Sequence, residues 1–128
     1  MVKEFTVSTF LHASPQTVYD AWLDSAAHGQ MIGSSAEVSD QPGGVFTAWD
    51  GYISGKNLEL ESGKRILQAW RTVEFADSEA DSHIEVTFEA ENDGTRLTLR
   101  HWDLPAHGAQ YESGWEDSYF APMRAYFG

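Results

Sequence analysis

The sequence predicts an α+β domain. A curved antiparallel sheet wraps around a long C-terminal helix, and the chain order is strand, two short helices, six strands, helix. Three observations predict it. Gly108 to Phe127 reads as one helix, because Tyr111, Trp115, Tyr119, Pro122 and Tyr126 recur at spacings of four, four, three and four and form one stripe. Phe120, Met123 and Phe127 widen that stripe. From Ser34 to Asp103 the apolar period changes to two, interrupted by turn residues. A helix of about 28 Å, at roughly 1.5 Å per residue, matches the width of six strands at about 4.8 Å each. A ring-rich helix face needs a broad apolar partner, and the sheet supplies it. A strongly curved sheet cannot touch a straight helix along its whole length, so a cavity can remain between them.

Each element has its own signal. In residues 3–11, Phe5, Val7, Thr9 and Leu11 alternate with Glu4, Thr6, Ser8 and Phe10, which marks a strand. Ser14-Pro15 opens a helix with a capping hydroxyl and a proline in the first turn, and Val18, Tyr19 and Trp22 give its apolar face. Asp24 can cap a second short helix reaching about Met31, where Gly29 points to a loose turn as the alternative. Six strands follow: Ala36–Ser39, Val45–Trp49, Tyr52–Leu60, Arg65–Glu74, Ser82–Glu91 and Thr95–Asp103. Asp50-Gly51 and Asn92-Asp93-Gly94 are hairpin signals, so the sheet is a meander. Ile84, Val86 and Phe88 share a face, as do Leu97, Leu99 and His101. The inward parity around Ile66, Gln68 and Trp70, and around Glu59, stays open.

Composition narrows the function. The chain is 128 residues long with 41% hydrophobic residues, enough for one domain with a real core. It has no cysteine, which excludes disulfides, thiolate metal sites and a cysteine nucleophile. The N-terminus lacks the apolar run of a signal peptide and no stretch is long enough to span a membrane, so a cytoplasmic location is expected. The formal net charge is −12 and the eight Lys and Arg residues are scattered, which argues against nucleic acid and anionic membrane as partners. A basic protein surface or a cationic ligand fits that charge, and so does simple solubility.

Several stretches together resemble the activator of Hsp90 ATPase family, within the START-like and birch-allergen-like superfamily of helix-grip folds. They are Ser14-Pro15-Gln16-Thr17-Val18-Tyr19, Gly43-Gly44-Val45-Phe46, Asp50-Gly51-Tyr52-Ile53-Ser54-Gly55, Leu58-Glu59-Leu60, Arg65 to Arg71, Gly94 to Leu99, and Gly114-Trp115 with Tyr119-Phe120. The resemblance covers nearly the whole chain and implies a single helix-grip domain over residues 1–128. It implies less about function than about fold. Relatives in the superfamily hold lipids, hormones or polyketides, some catalyse cyclisation, and eukaryotic Hsp90 activators stimulate a chaperone ATPase through a separate N-terminal domain.

The candidate binding residues are Trp22, Phe46, Trp49, Trp70, His101, Tyr111, Trp115 and Tyr119, read either as core or as a cavity wall offering stacking faces to a flat apolar ligand. Gly114 sits within a helix at a cost of about 1 kcal/mol relative to Ala, so close approach of a strand or of a ligand is expected there. Pro122 should kink the helix, opening a cavity mouth or letting the helix follow the sheet. His101 is the best acid/base candidate, with Glu59 or a tyrosine hydroxyl as helper. Glu59 is either a buried carboxylate or a solvated one. His101 and Asp103, two apart on one strand, could also present a pair of metal ligands, but no third ligand stands at a recognisable spacing, so no metal and no cofactor is expected. Three functions are weighed: a non-catalytic binding domain for a small apolar or aromatic molecule, a cyclase- or hydrolase-type enzyme using His101, and a chaperone co-factor. The expected state is a monomer or weak homodimer.

Overall fold

The computed structural model describes residues 3–127; Met1 and Val2, part of the N-terminus read for a signal peptide, lie outside them. The chain runs through β1 (Lys3–Leu11), α1 (Pro15–Trp22), α2 (Ser25–Ile32), β2 (Ala36–Val38), β3 (Val45–Ala48), β4 (Ile53–Glu61), β5 (Arg65–Thr72), β6 (Ser82–Glu91) and β7 (Gly94–Leu104). It ends in α3 (Gln110–Trp115), a π-helical turn (Glu116–Phe120) and α4 (Ala121–Phe127), which together form one continuous C-terminal helix. All seven strands pair antiparallel in the order β1-β7-β6-β5-β4-β3-β2. Consecutive strands from β2 to β7 are neighbours, which is the meander the turn signals predict. Among the described residues, no helix is long and apolar enough to cross a membrane.

Capping chemistry fixes the short helices. Ser14 Oγ accepts from the Thr17 amide at 3.2 Å, and Pro15 occupies the first turn. Asp24 accepts from the Ala27 amide at 2.8 Å, and Gly33 closes α2 in the left-handed region at φ 76°. Gly29 is therefore inside a true helix and not in a loose turn. Its role is proximity: a Cβ there would fall 2.8 Å from the Ser34 carbonyl oxygen.

The inner face of the sheet carries the core. Ile66, Ile84, Val86, Leu97 and Leu99 are fully buried, and Trp70 nearly so. Each such side chain contributes about 1.5–3 kcal/mol by leaving water. The parity left open on β5 is settled: Ile66, Gln68 and Trp70 point inward. Gln68 donates to Asn57 Oδ1 at 2.8 Å, and Asn57 Nδ2 donates to the Ser39 and Gln41 carbonyls. This polar chain pins the loop between β2 and β3. A register shift between Asn57 and Glu59 bends β4, and another opposite Lys3 and Phe5 marks β7 near Asp103. Bulges of this kind raise local twist and curve the sheet.

The C-terminal helix departs from the expected stripe. It starts at Gln110, because Gly108 lies in the turn closed by its amide to the Pro105 carbonyl. The Ala121 amide bonds to the Glu116 carbonyl, five residues back. This wider turn adds a residue to one winding directly before Pro122, which has no N–H to give. The apolar face then shifts by one position. Tyr111 and Trp115 are buried before the turn, Tyr119 and Phe120 within it, and Met123 after it; Tyr126, expected in the stripe, is 43% exposed. The helix is fastened to the sheet at both ends, by Tyr111 Oη against Thr72 Oγ1 at 2.6 Å and by Arg124 donating to Thr9 Oγ1 at 2.9 Å.

Candidate functional site

Rings meet where the helix crosses β5 and β7. The centroid of Trp70 lies 5.0 Å from Tyr111, 5.6 Å from Trp115 and 4.6 Å from His101, and Trp115 lies 4.8 Å from Tyr119. Beside this cluster a pocket of about 500 Å³ opens between the helix and the sheet. Trp70, Tyr111, Trp115 and Tyr119 form its ring-lined wall, and Trp49, Tyr52 and Ile53 close the side made by the turn between β3 and β4. Glu74, Gln110, Gly114 and Ser118 complete the lining.

Of the two neighbours expected at Gly114, a strand does not come close. A Cβ there would meet no atom within 4 Å outside its own helix. The glycine leaves space in the pocket wall where any other residue would project a side chain.

Trp49 is the second departure. It was expected at the end of a strand, yet it lies in the turn with φ 54°, followed by Asp50 at 56° and Gly51 at 85°. A tryptophan in the left-handed region is strained, by about 1–3 kcal/mol. Its amide donates to the Ser35 carbonyl at 3.0 Å, and Tyr52 returns a bond to the Trp49 carbonyl at 3.0 Å, so the turn is held from both sides. The Trp49 Nε1–H is buried and has no acceptor among the described residues.

Of the residues singled out from sequence, Trp49, Trp70, Tyr111, Trp115 and Tyr119 line the pocket, and Trp22, Phe46 and His101 do not. Trp22 is 2% exposed and stacks on Trp115 at 6.3 Å from behind, as part of the core. Phe46 lies over Gly55, where a Cβ would come within 2.6 Å of its ring, and faces a different groove near β2.

His101 faces the helix, as its parity predicts, but it is 0% exposed and both ring nitrogens are engaged. Trp115 Nε1–H donates to Nδ1 at 3.1 Å, so the proton of the neutral ring sits on Nε2 and is given to Ser82 Oγ at 2.8 Å. Ser82 in turn donates to the Trp70 carbonyl at 2.9 Å. Burial, reinforced by His83, lowers the His101 pKa to about 3. This is a closed chain of neutral bonds with no lone pair left for a substrate. Glu59 stands elsewhere: its side chain is 61% exposed on the outer surface and pairs with Arg65 at 2.9 Å. The two catalytic candidates therefore share no pocket. Asp103 also parts from His101. The bulge gives it φ 59°, and it accepts from His83 Nδ1 at 3.0 Å on the outer face. The pair of metal ligands expected on one face is thus split between the two faces.

Tyr119 offers the pocket its ring and keeps its hydroxyl for the core. His28 Nδ1–H donates to the Trp22 carbonyl at 2.7 Å, which leaves Nε2 to accept from Tyr119 Oη at 2.8 Å. Burial raises the Tyr119 phenol and lowers His28, so both stay neutral.

Tyr52, Glu74 and Gln110 were not singled out. Tyr52 Oη donates to Glu74 Oε2, and Gln110 Nε2 donates to the same oxygen at 3.3 Å. These bonds, the tyrosine's first, hold the Glu74 carboxyl below its usual range. Burial, then the bond to Glu74, raises the Tyr52 phenol. No sequence spacing could have joined them, because they come from the turn before β4, the loop after β5 and the C-terminal helix.

The family model described as Activator of Hsp90 ATPase homolog 1-like protein matches residues 12–128. Activator of 90 kDa heat shock protein ATPase homolog 1 from Homo sapiens is 27% identical over 121 residues, 94% of this chain and 35% of that protein. The chain spans between 21% and 35% of the length of the curated relatives it matches. Among solved structures, an HSP90 activator from Plasmodium falciparum superposes with a TM-score of 0.87 at 22% identity, covering 96% of this chain and 94% of that one. The Aha1 dimer from Colwellia psychrerythraea superposes with a TM-score of 0.81 at 14% identity, covering 98% and 96%. These two likenesses establish the fold, and the match over residues 12–128 establishes that the chain belongs to the family of Activator of Hsp90 ATPase homolog 1-like proteins.

Proposed function

We propose that this chain is a non-catalytic binding domain of its family, holding a small apolar or aromatic molecule between the C-terminal helix and the sheet. The observation that supports it is Gly114. At a position where Ala would stabilise the helix, the chain keeps open space inside a wall of tryptophan and tyrosine faces. The sealed His101 and the distant Glu59 supply no acid/base pair to that space, so binding fits the geometry better than turnover. Native mass spectrometry of the protein as purified tests the reading. A retained small molecule, seen as added mass that denaturation removes, is the expected result. Bare polypeptide mass, together with no affinity for any aromatic probe, would overturn it.

A second reading rests on family membership: the domain contacts an Hsp90-type chaperone, drawn to it by the net charge of −12. An ATPase assay with the cognate chaperone is the test, and an unchanged rate at saturating domain counts against it. A monomer or weak homodimer is proposed with it, in keeping with the dimer formed by the Colwellia relative.

A further inference from the structure

Building on the proposed pocket, we infer that its preferred ligand carries a positive charge: an ammonium group attached to an aromatic or apolar body. Three observations carry this. Among the described residues, Glu74 is the only charged one in the lining, and no Lys or Arg joins it. Its carboxylate is bonded by two neutral donors, Tyr52 Oη and Gln110 Nε2, both to Oε2. Oε1 accepts from no group among the described residues, and Glu74 forms no ion pair among them, in contrast to Glu59, Glu91 and Glu116. The negative charge at the mouth is therefore positioned but not ion-paired among the described residues; His107, whose charge when protonated favours the carboxylate, bonds Tyr111 Oη instead.

The rings supply the rest. Trp and Tyr faces carry negative electrostatic potential and attract cations within about 6 Å. Trp49 and Tyr52 are half-buried against the edge of the core, no other aromatic ring among the described residues packs against either, and both line the pocket. Tyr52 is bonded to Glu74, and the turn bonds Tyr52 to Trp49. An ammonium seated among them would meet ring faces and the free carboxylate oxygen, while its apolar body would lie along Trp70 and Trp115. An anionic ligand would meet Glu74 and a domain of net charge −12 with no cation to receive it.

The test is a matched pair of probes: 4-(hydroxymethyl)phenyl-trimethylammonium and its uncharged carbon isostere, 4-tert-butylbenzyl alcohol. Calorimetric titration at low salt gives both affinities for the intact chain and for two variants. Glu74→Gln removes the charge from an exposed side chain. Gly114→Leu fills the pocket from a position with open space. The cation should bind about tenfold more tightly than its isostere. That preference should fall at least about threefold in Glu74→Gln, and both probes should lose affinity in Gly114→Leu. Equal binding of both probes would overturn the charge inference and leave the pocket standing. A preference untouched by Glu74→Gln would overturn the role of that carboxylate. Binding of neither probe, or cation binding that survives Gly114→Leu, would remove the pocket itself as the site.

Discussion

Replacing Gly114 by Ala separates two explanations of a glycine within a helix. If the glycine admits a neighbour, a methyl group would clash and destabilise the fold. The structure gives the opposite sign. A Cβ at this position meets no atom within 4 Å outside its own helix, and the backbone is not in the left-handed region. The substitution then recovers the helix propensity lost to glycine, about 1 kcal/mol. For a domain of this size that is a rise in Tm of about 3–5 °C. Gly114 is partly buried and close to the π-helical segment that begins at Glu116, so the lower end of that range is the expected one. Urea unfolding followed by tryptophan fluorescence measures it, with an unchanged m-value as the sign that the native state is unaltered. Loss of 1 kcal/mol or more would refute the reasoning, because it would mean the position is packed. The larger Gly114→Leu should fold as well as the parent while losing ligand. Glycine at this site would then be retained for binding at the expense of stability.

Other outcomes follow from the buried histidines and the surface pairs. His101, with its pKa lowered to about 3 by burial, stays neutral in the fold while the unfolded chain takes up a proton near pH 6.5. Its contribution is complete above pH 6.5 and is lost as pH falls toward 3, at up to about 1.4 kcal/mol per unit, and His28 acts in the same direction. Urea titrations between pH 7 and 5 should show stability falling with acid, and a flat profile would contradict the neutral network. Tyr119→Phe leaves His28 Nε2 without its donor and should cost about 1–3 kcal/mol by chemical denaturation, while ligand affinity stays within about twofold. Glu59→Gln should change stability by less than about 0.5 kcal/mol and leave binding unaltered, since Arg65 keeps Glu61 and Glu85.

Local signals in the sequence were enough for the frame. Ser14-Pro15, Asp24, the Asp-Gly turn and the alternation of Ile84, Val86 and Phe88 each act through near neighbours, and the strands and caps formed where those residues predict. The site depended on events that a periodic reading cannot see. One extra residue in the turn before Pro122 rotated the helix face, burying Phe120 and Met123 and releasing Tyr126. Strained backbone at Trp49 carried a ring out of a strand and into the pocket rim. A bulge sent Asp103 to the face opposite His101. The meaning of Gly114 was hidden for a related reason: sequence shows that a side chain is missing but not whether the space is filled by a neighbour.

The most direct test of the account is a two-dimensional spectrum of the five tryptophan indole N–H groups during titration with the trimethylammonium probe. Trp49, Trp70 and Trp115 line the pocket, whereas Trp102 lies on the outer face of the sheet under Arg100. The account predicts saturable shifts of the three pocket signals, led by Trp49, with that of Trp102 unmoved. Shifts confined to Trp102, or none at all at saturating probe, would contradict it.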